Sequence, residues 1–141
     1  MRQPRPRSGF LFCLLALPLA ATAYAETELS GQWIGNSQVE GDSSVAKTSL
    51  SLSGASDENA TLRLEGRSNC TLRDGKVTSA ADGAWNLSFK DARGGDVCAR
   101  LAKGTFVLHP GSTPRQLVFD VTYPGPDGNQ NQRHGALHRY P

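Results

Sequence analysis

The sequence predicts an all-β protein: a small antiparallel meander β-barrel of about eight strands with one disulfide, an open β-sandwich being the alternative architecture. Three observations lead there. Apolar residues recur with a period of two along most of the chain, the pattern of strands with one buried and one wet face. Dipeptides that favour left-handed backbone fall between these runs at Asp74-Gly75, Asp82-Gly83 and Asp127-Gly128. No stretch carries a sustained 3.6-residue apolar period with a capping pattern.

Taken in order, residues 1–25 stand apart. Arg2, Arg5 and Arg7 make a basic start, Gly9 to Ala20 is apolar except for Pro18, and Ala23-Tyr24-Ala25 supplies small residues for a cleavage between Ala25 and Glu26. This is the layout of a secretory signal peptide, with an apolar run too short for a membrane span, which needs roughly 20 residues. Residues 26–141 then form a single domain. Alternation runs through Leu29, Gly31 and Trp33; through Ala46, Thr48, Leu50 and Leu52; through Ala60, Leu62 and Leu64; and through Cys70 and Leu72. It resumes at Trp85, Leu87 and Phe89, then at Leu117, Phe119, Val121 and Tyr123. Asp96 to His109 reads either as one long bent strand or as two strands broken near Lys103-Gly104, and Arg133 to Tyr140 as a final strand with Leu137 inward.

Cleavage alters the charge and the cysteine count. The 141-residue chain carries a formal +2 and three Cys. Removing residues 1–25 takes away three Arg, no acid and Cys13, leaving a formal −1 and an even pair, Cys70 and Cys98. In an exported chain such a pair most simply forms a structural disulfide, a redox pair or metal thiolates being the alternatives. No basic field remains to attract nucleic acid, and no second apolar span follows. The mature protein is expected in the periplasm or secreted, without a membrane span. Its size excludes multidomain enzymes and most cofactor-binding α/β folds, and no cofactor is expected.

Leu29-Ser30-Gly31-Gln32-Trp33 places a Gly-x-Trp on the first mature strand. This resembles the lipocalin and avidin-like (calycin) barrels, in which such a Trp plugs one barrel end and a late Arg packs over it. The resemblance implies a structural plug made of Trp33 and Arg139. The same residues with Glu28 ahead of them, followed by Cys70-Thr71-Leu72-Arg73, Trp85-Asn86-Leu87 and Cys98, also resemble the bacterial alkaline-protease inhibitors. Those are small periplasmic eight-stranded barrels with one disulfide that block secreted zinc metalloproteases. That resemblance implies architecture and assigns no inhibitory residue.

Catalytic and metal chemistry find little footing. His134 and His138 would share a helix face, but on a strand they lie roughly 13 Å apart, too far for one ion. Asp127-Gly128-Asn129-Gln130-Asn131 begins like a Ca²⁺ loop, yet Gln132 stands where Gly is needed and His138 where Glu is needed. No nucleophile elbow or phosphate loop is present. Catalytic and metal residues are therefore expected to be none, and the protein is not expected to be an enzyme. Asn59, Asn69 and Asn86 begin formal glycosylation triplets that read as exposed strand and turn positions. Trp85, Phe89 and Phe119 mark either a filled core or a pocket for a small apolar ligand. The leading functional expectation is a protein-binding module of inhibitor or immunity type, its partner a hydrolase or toxin met by loops such as Pro110–Arg115 and Tyr123–Arg133. The alternative is a calycin-like carrier of a small hydrophobic ligand.

Overall fold

The structure, a computed structural model, describes residues 29–53, 59–67 and 69–141. The expected export signal, the Ala25–Glu26 junction and Cys13 lie outside the described residues. Within them the alternating segments become nine strands: β1 (Gly31–Val39), β2 (Val45–Leu52), β3 (Ala60–Glu65), β4 (Cys70–Ser79), β5 (Trp85–Ser88), β6 (Asp91–Arg93), β7 (Thr105–Pro110), β8 (Gln116–Pro124) and β9 (Gln130–Arg139). Every pairing is antiparallel, and the sheet closes on itself because β3 also pairs with β4. The result is a closed eight-stranded barrel plus one extra strand, β6, which pairs only with β4, at Thr71–Arg73. Arg73 donates from Nε and Nη2 to Asp91 Oδ2 across that pairing, at 3.0 and 2.8 Å. The bond from Arg73 holds the Asp91 carboxyl below the usual carboxylate range.

Inward parity follows the apolar period. Trp33, Leu50, Leu62, Leu72, Leu87, Phe106, Leu108, Leu117, Phe119 and Val121 are all buried in one core. An eight-stranded barrel is just wide enough for side chains to fill, and these do fill it. Two glycines make the fit possible. Phe119 lies directly across from Gly135, and its ring occupies the space a side chain there would need: an added Cβ would collide with Phe119 Cε1. At Gly75 an added Cβ would meet Ala60 Cβ and Phe89 Cε1, each at 2.7 Å.

Three expectations are corrected. Asp74-Gly75 is not a hairpin turn. It lies inside β4, where the register changes from Leu62↔Leu72 to Ala60↔Gly75 and Asp74 takes φ 55°. One extra residue there forms a bulge that bends the strand around the barrel. Asp82-Gly83, with φ 60° and 72°, is the tight turn joining β4 and β5. Asp96–His109 is neither one bent strand nor two. Its first part is a short helix, α1 (Asp96–Leu101), and only residues 105–110 are strand. The break near Lys103-Gly104 is where expected. Arg133–Tyr140 begins earlier than expected, as β9 from Gln130, with Leu137 buried.

The helix persists for tertiary reasons. Gly95 offers no side-chain cap, and six residues are too few to hold a helix by themselves. Cys98 and Leu101, one turn apart, are its only buried residues. Cys98 bonds to Cys70 at the start of β4, with the two Cα atoms 5.3 Å apart. Two inward positions at i and i+3 do not separate a single helical turn from a strand, which is why the sequence pattern misses it.

Replacing both cysteines with Ala is expected to lower stability by about 3–4 kcal/mol for a loop of this length, read as a fall in the urea midpoint. Gly135→Ala is expected to cost about 1–3 kcal/mol by overpacking. Combined with Phe119→Leu, it should cost measurably less than the two single changes added together; strict additivity would show that the ring does not depend on the bare glycine.

Candidate functional site

The two barrel ends differ in chemistry. At one end Trp33 is fully buried, and its Nε1 donates to Leu29 O at 2.9 Å. Trp33 faces Arg139 across the β1–β9 ladder, and the guanidinium carbon lies 4.5 Å above the indole centroid. Arg139 Nη1 also donates to Ser30 O at 2.6 Å. This end is covered by an aromatic face, a cation over it and the segment leading into β1.

The other end is open. It is framed by the β1–β2 connection, the turn after β8 and helix α1, around a cleft of about 350 Å³. Val39, Ala46, Leu64 and Tyr123 form its apolar wall, and Arg67, Arg100 and Arg133 all line it. Arg100 is spoken for: its Nε and Nη2 reach Asp96 Oδ2 at 3.0 Å, and its Nη1 reaches Pro124 O at 3.3 Å. Asp42, the one acid on this lining, accepts from Ser44 N–H at 2.8 Å. Those bonds to Ser44 hold its carboxyl below the usual range, with Arg67 and Arg133 acting in the same direction.

Beneath Arg133 lie the two buried polar side chains of the described residues, Ser37 and Thr48. Arg133 Nη1 donates to Ser37 Oγ at 3.0 Å, Ser37 and Thr48 share a 2.7 Å hydroxyl bond, and Thr48 Oγ1 donates to Ala46 O at 3.1 Å. Arg133 Nε is buried and has no hydrogen-bond partner. The rim is apolar as well: Val45 and Val97, 56% and 38% exposed, are two of the three exposed large hydrophobics in the described residues.

Phe106 stands between Phe89 and Phe119, with ring centroids 5.3 and 5.7 Å away, so these rings pack against one another as core. Trp85 is half-buried beside them. The mouth cleft touches none of Trp85, Phe89 and Phe119. His134 and His138 sit on β9 with their side chains exposed. Asp120, directly across from His134, bonds to its Nδ1 and lies 3.9 Å from His109 Nε2. Among the described residues no three His, Cys, Asp or Glu are arranged to hold a metal ion. The Asp127 carboxylate is occupied by Asn129, from whose backbone and side-chain nitrogens it accepts at 3.0 and 2.9 Å. A furrow of about 550 Å³ also runs over the outer wall past the exposed side chains of Asn36, Gln38, His134 and Ala136, and Ser37 lines it as well; Arg67, Arg100 and Arg133 line only the mouth.

Ser37, Thr48 and Arg133 carry a signal that the sequence reading did not use. Each shares the inward parity of its strand, with Trp33, Leu50 and Leu137 respectively. A polar residue in phase with core residues marks a site or a mouth.

No family model matches the chain, and no curated protein does. Among solved structures it is similar to EF1p2_mFAP2b bound to DFHBI, at 18% identity and a TM-score of 0.55 over 79% of this chain and 94% of that one. At that identity the likeness concerns the fold alone.

Arg139→Met is expected to lower stability by about 2 kcal/mol, through loss of a cation–π contact and a charged hydrogen bond. It should also change Trp33 emission. An unchanged urea midpoint and spectrum would mean that the pair contributes nothing to sealing this end.

Proposed function

We propose that the protein is an exported, non-catalytic carrier that binds a small hydrophobic or amphipathic molecule at the open end of its barrel. The observation that carries this reading is the mouth cleft itself: about 350 Å³, within the range of small-ligand sites, with an apolar wall and rim and with Arg67, Arg100 and Arg133 on its lining. The end covered by Trp33 and Arg139 makes the mouth the natural entry. The DFHBI bound to the similar barrel supports the idea that this architecture takes small molecules.

Export is supported by the layout of residues 1–25 and by the Cys70–Cys98 bridge, which suits an oxidising compartment. The inhibitor or immunity reading draws on the alkaline-protease-inhibitor resemblance and on the exposed loops. The carrier reading is favoured because an apolar wall and rim and three arginines converge on one concave site.

Native mass spectrometry of protein purified from its own host tests the proposal. A retained small molecule is expected, released on denaturation and absent from Val97→Trp, whose larger side chain obstructs the rim. Protein that carries no small molecule and arrives with a stoichiometric protein partner would overturn the carrier reading in favour of a protein-binding module.

A further inference from the structure

We infer that the ligand is an organic anion, bound head-first, with its acidic group on Arg133 and its apolar body toward Val45 and Val97. The inference rests on the carrier reading and deepens it.

The hydroxyl chain has a fixed direction. Ala46 O is a carbonyl and can only accept, so the Thr48 hydroxyl proton points to it. Thr48 Oγ1 then accepts the Ser37 proton, and Ser37 Oγ accepts from Arg133 Nη1. All three bonds run one way, from guanidinium to backbone. Ser37 Oγ thus accepts a hydrogen bond from Arg133 and holds the guanidinium in place.

Two donors of the guanidinium are therefore distinguished. Nη1–H is satisfied by the wall, whereas Nε–H is buried and has no acceptor. Arg133 itself lines the cleft, so its charge faces the space a ligand would occupy. The guanidinium keeps its charge at any working pH, so the acceptor it binds best is itself charged. The nearby charges favour the same sign. Arg100 is paired with Asp96, Asp42 is engaged by Ser44, and Arg67 adds a second cation to the lining. A carboxylate, sulfonate or phosphate ester meets these conditions, and an alcohol or a hydrocarbon leaves the cation without an opposite charge. The exposed Val45 and Val97 at the rim give the rest of such a molecule an apolar surface.

A matched pair of fluorescent probes decides the matter: 8-anilinonaphthalene-1-sulfonate, and N-phenyl-1-naphthylamine, which has the same rings without the sulfonate. Folded wild-type protein is expected to bind the sulfonate at least about tenfold more tightly than the neutral probe, the scale of one charge-assisted hydrogen bond. Arg133→Gln should erase that preference while leaving neutral-probe binding unchanged. Arg63→Gln, which removes a cation from the exposed outer face of β3, should leave the preference intact. Equal binding of both probes by wild-type protein, or a preference that survives Arg133→Gln, overturns the anion inference and leaves the carrier reading standing. Binding of neither probe overturns both. Should Arg133→Gln fail to melt cooperatively, the wild-type comparison still tests the anion preference, and Arg67→Gln tests its assignment: a preference that persists in Arg67→Gln supports Arg133, and one that vanishes overturns that assignment.

Discussion

The ladder between the first and last strands is the constraint on which the rest of the molecule depends. β1 and β9 pair from Trp33↔Arg139 to Val39↔Arg133, joining the first and last strands of the chain within the closed barrel. Closure removes the exposed edges that an open sheet of this size would present. The same register also sets the chemistry of both barrel ends. It lays Arg139 over Trp33 at one end, and at the other it brings Arg133 beside Ser37. A slip of one residue would turn both arginines outward and break the seal and the site together.

The second constraint is the tightness of the interior. Phe119 needs the bare Gly135 opposite it, Phe89 needs Gly75, and Phe106 stands between the two rings. A core packed in this way has no room for a ligand among its aromatics, so the open volume lies at the mouth. Helix α1 belongs to that arrangement. Held by the disulfide and by Leu101, it carries Val97 to the rim and Arg100 to the cleft wall. The bridge thus positions part of the site as well as stabilising the fold.

Much of the fold was legible in the chain because alternation is local. Leu50 and Leu52, Leu62 and Leu64, Phe119 and Val121 announce their strands and inward faces without reference to any partner. The barrel, the disulfide between Cys70 and Cys98 and the position of Trp33 at the start of the first strand follow from that pattern and from two cysteines 28 positions apart. The bulge at Asp74-Gly75 resembles a turn in the sequence because the same left-handed backbone serves both purposes; only the register of β3 against β4 distinguishes them. One turn of helix at Asp96–Leu101 carries too few inward positions for its period to show.

The sequence by itself determined which residues face inward, and it placed Ser37, Thr48 and Arg133 among them. What those three do together was decided only by tertiary structure. Ser37 and Arg133 are 96 positions apart, and Ser30 and Arg139 are 109 apart. No local periodicity encodes which strands meet, or in what register. The hydroxyl chain, its direction and the buried guanidinium donor it leaves unmet exist only once β9 has closed against β1.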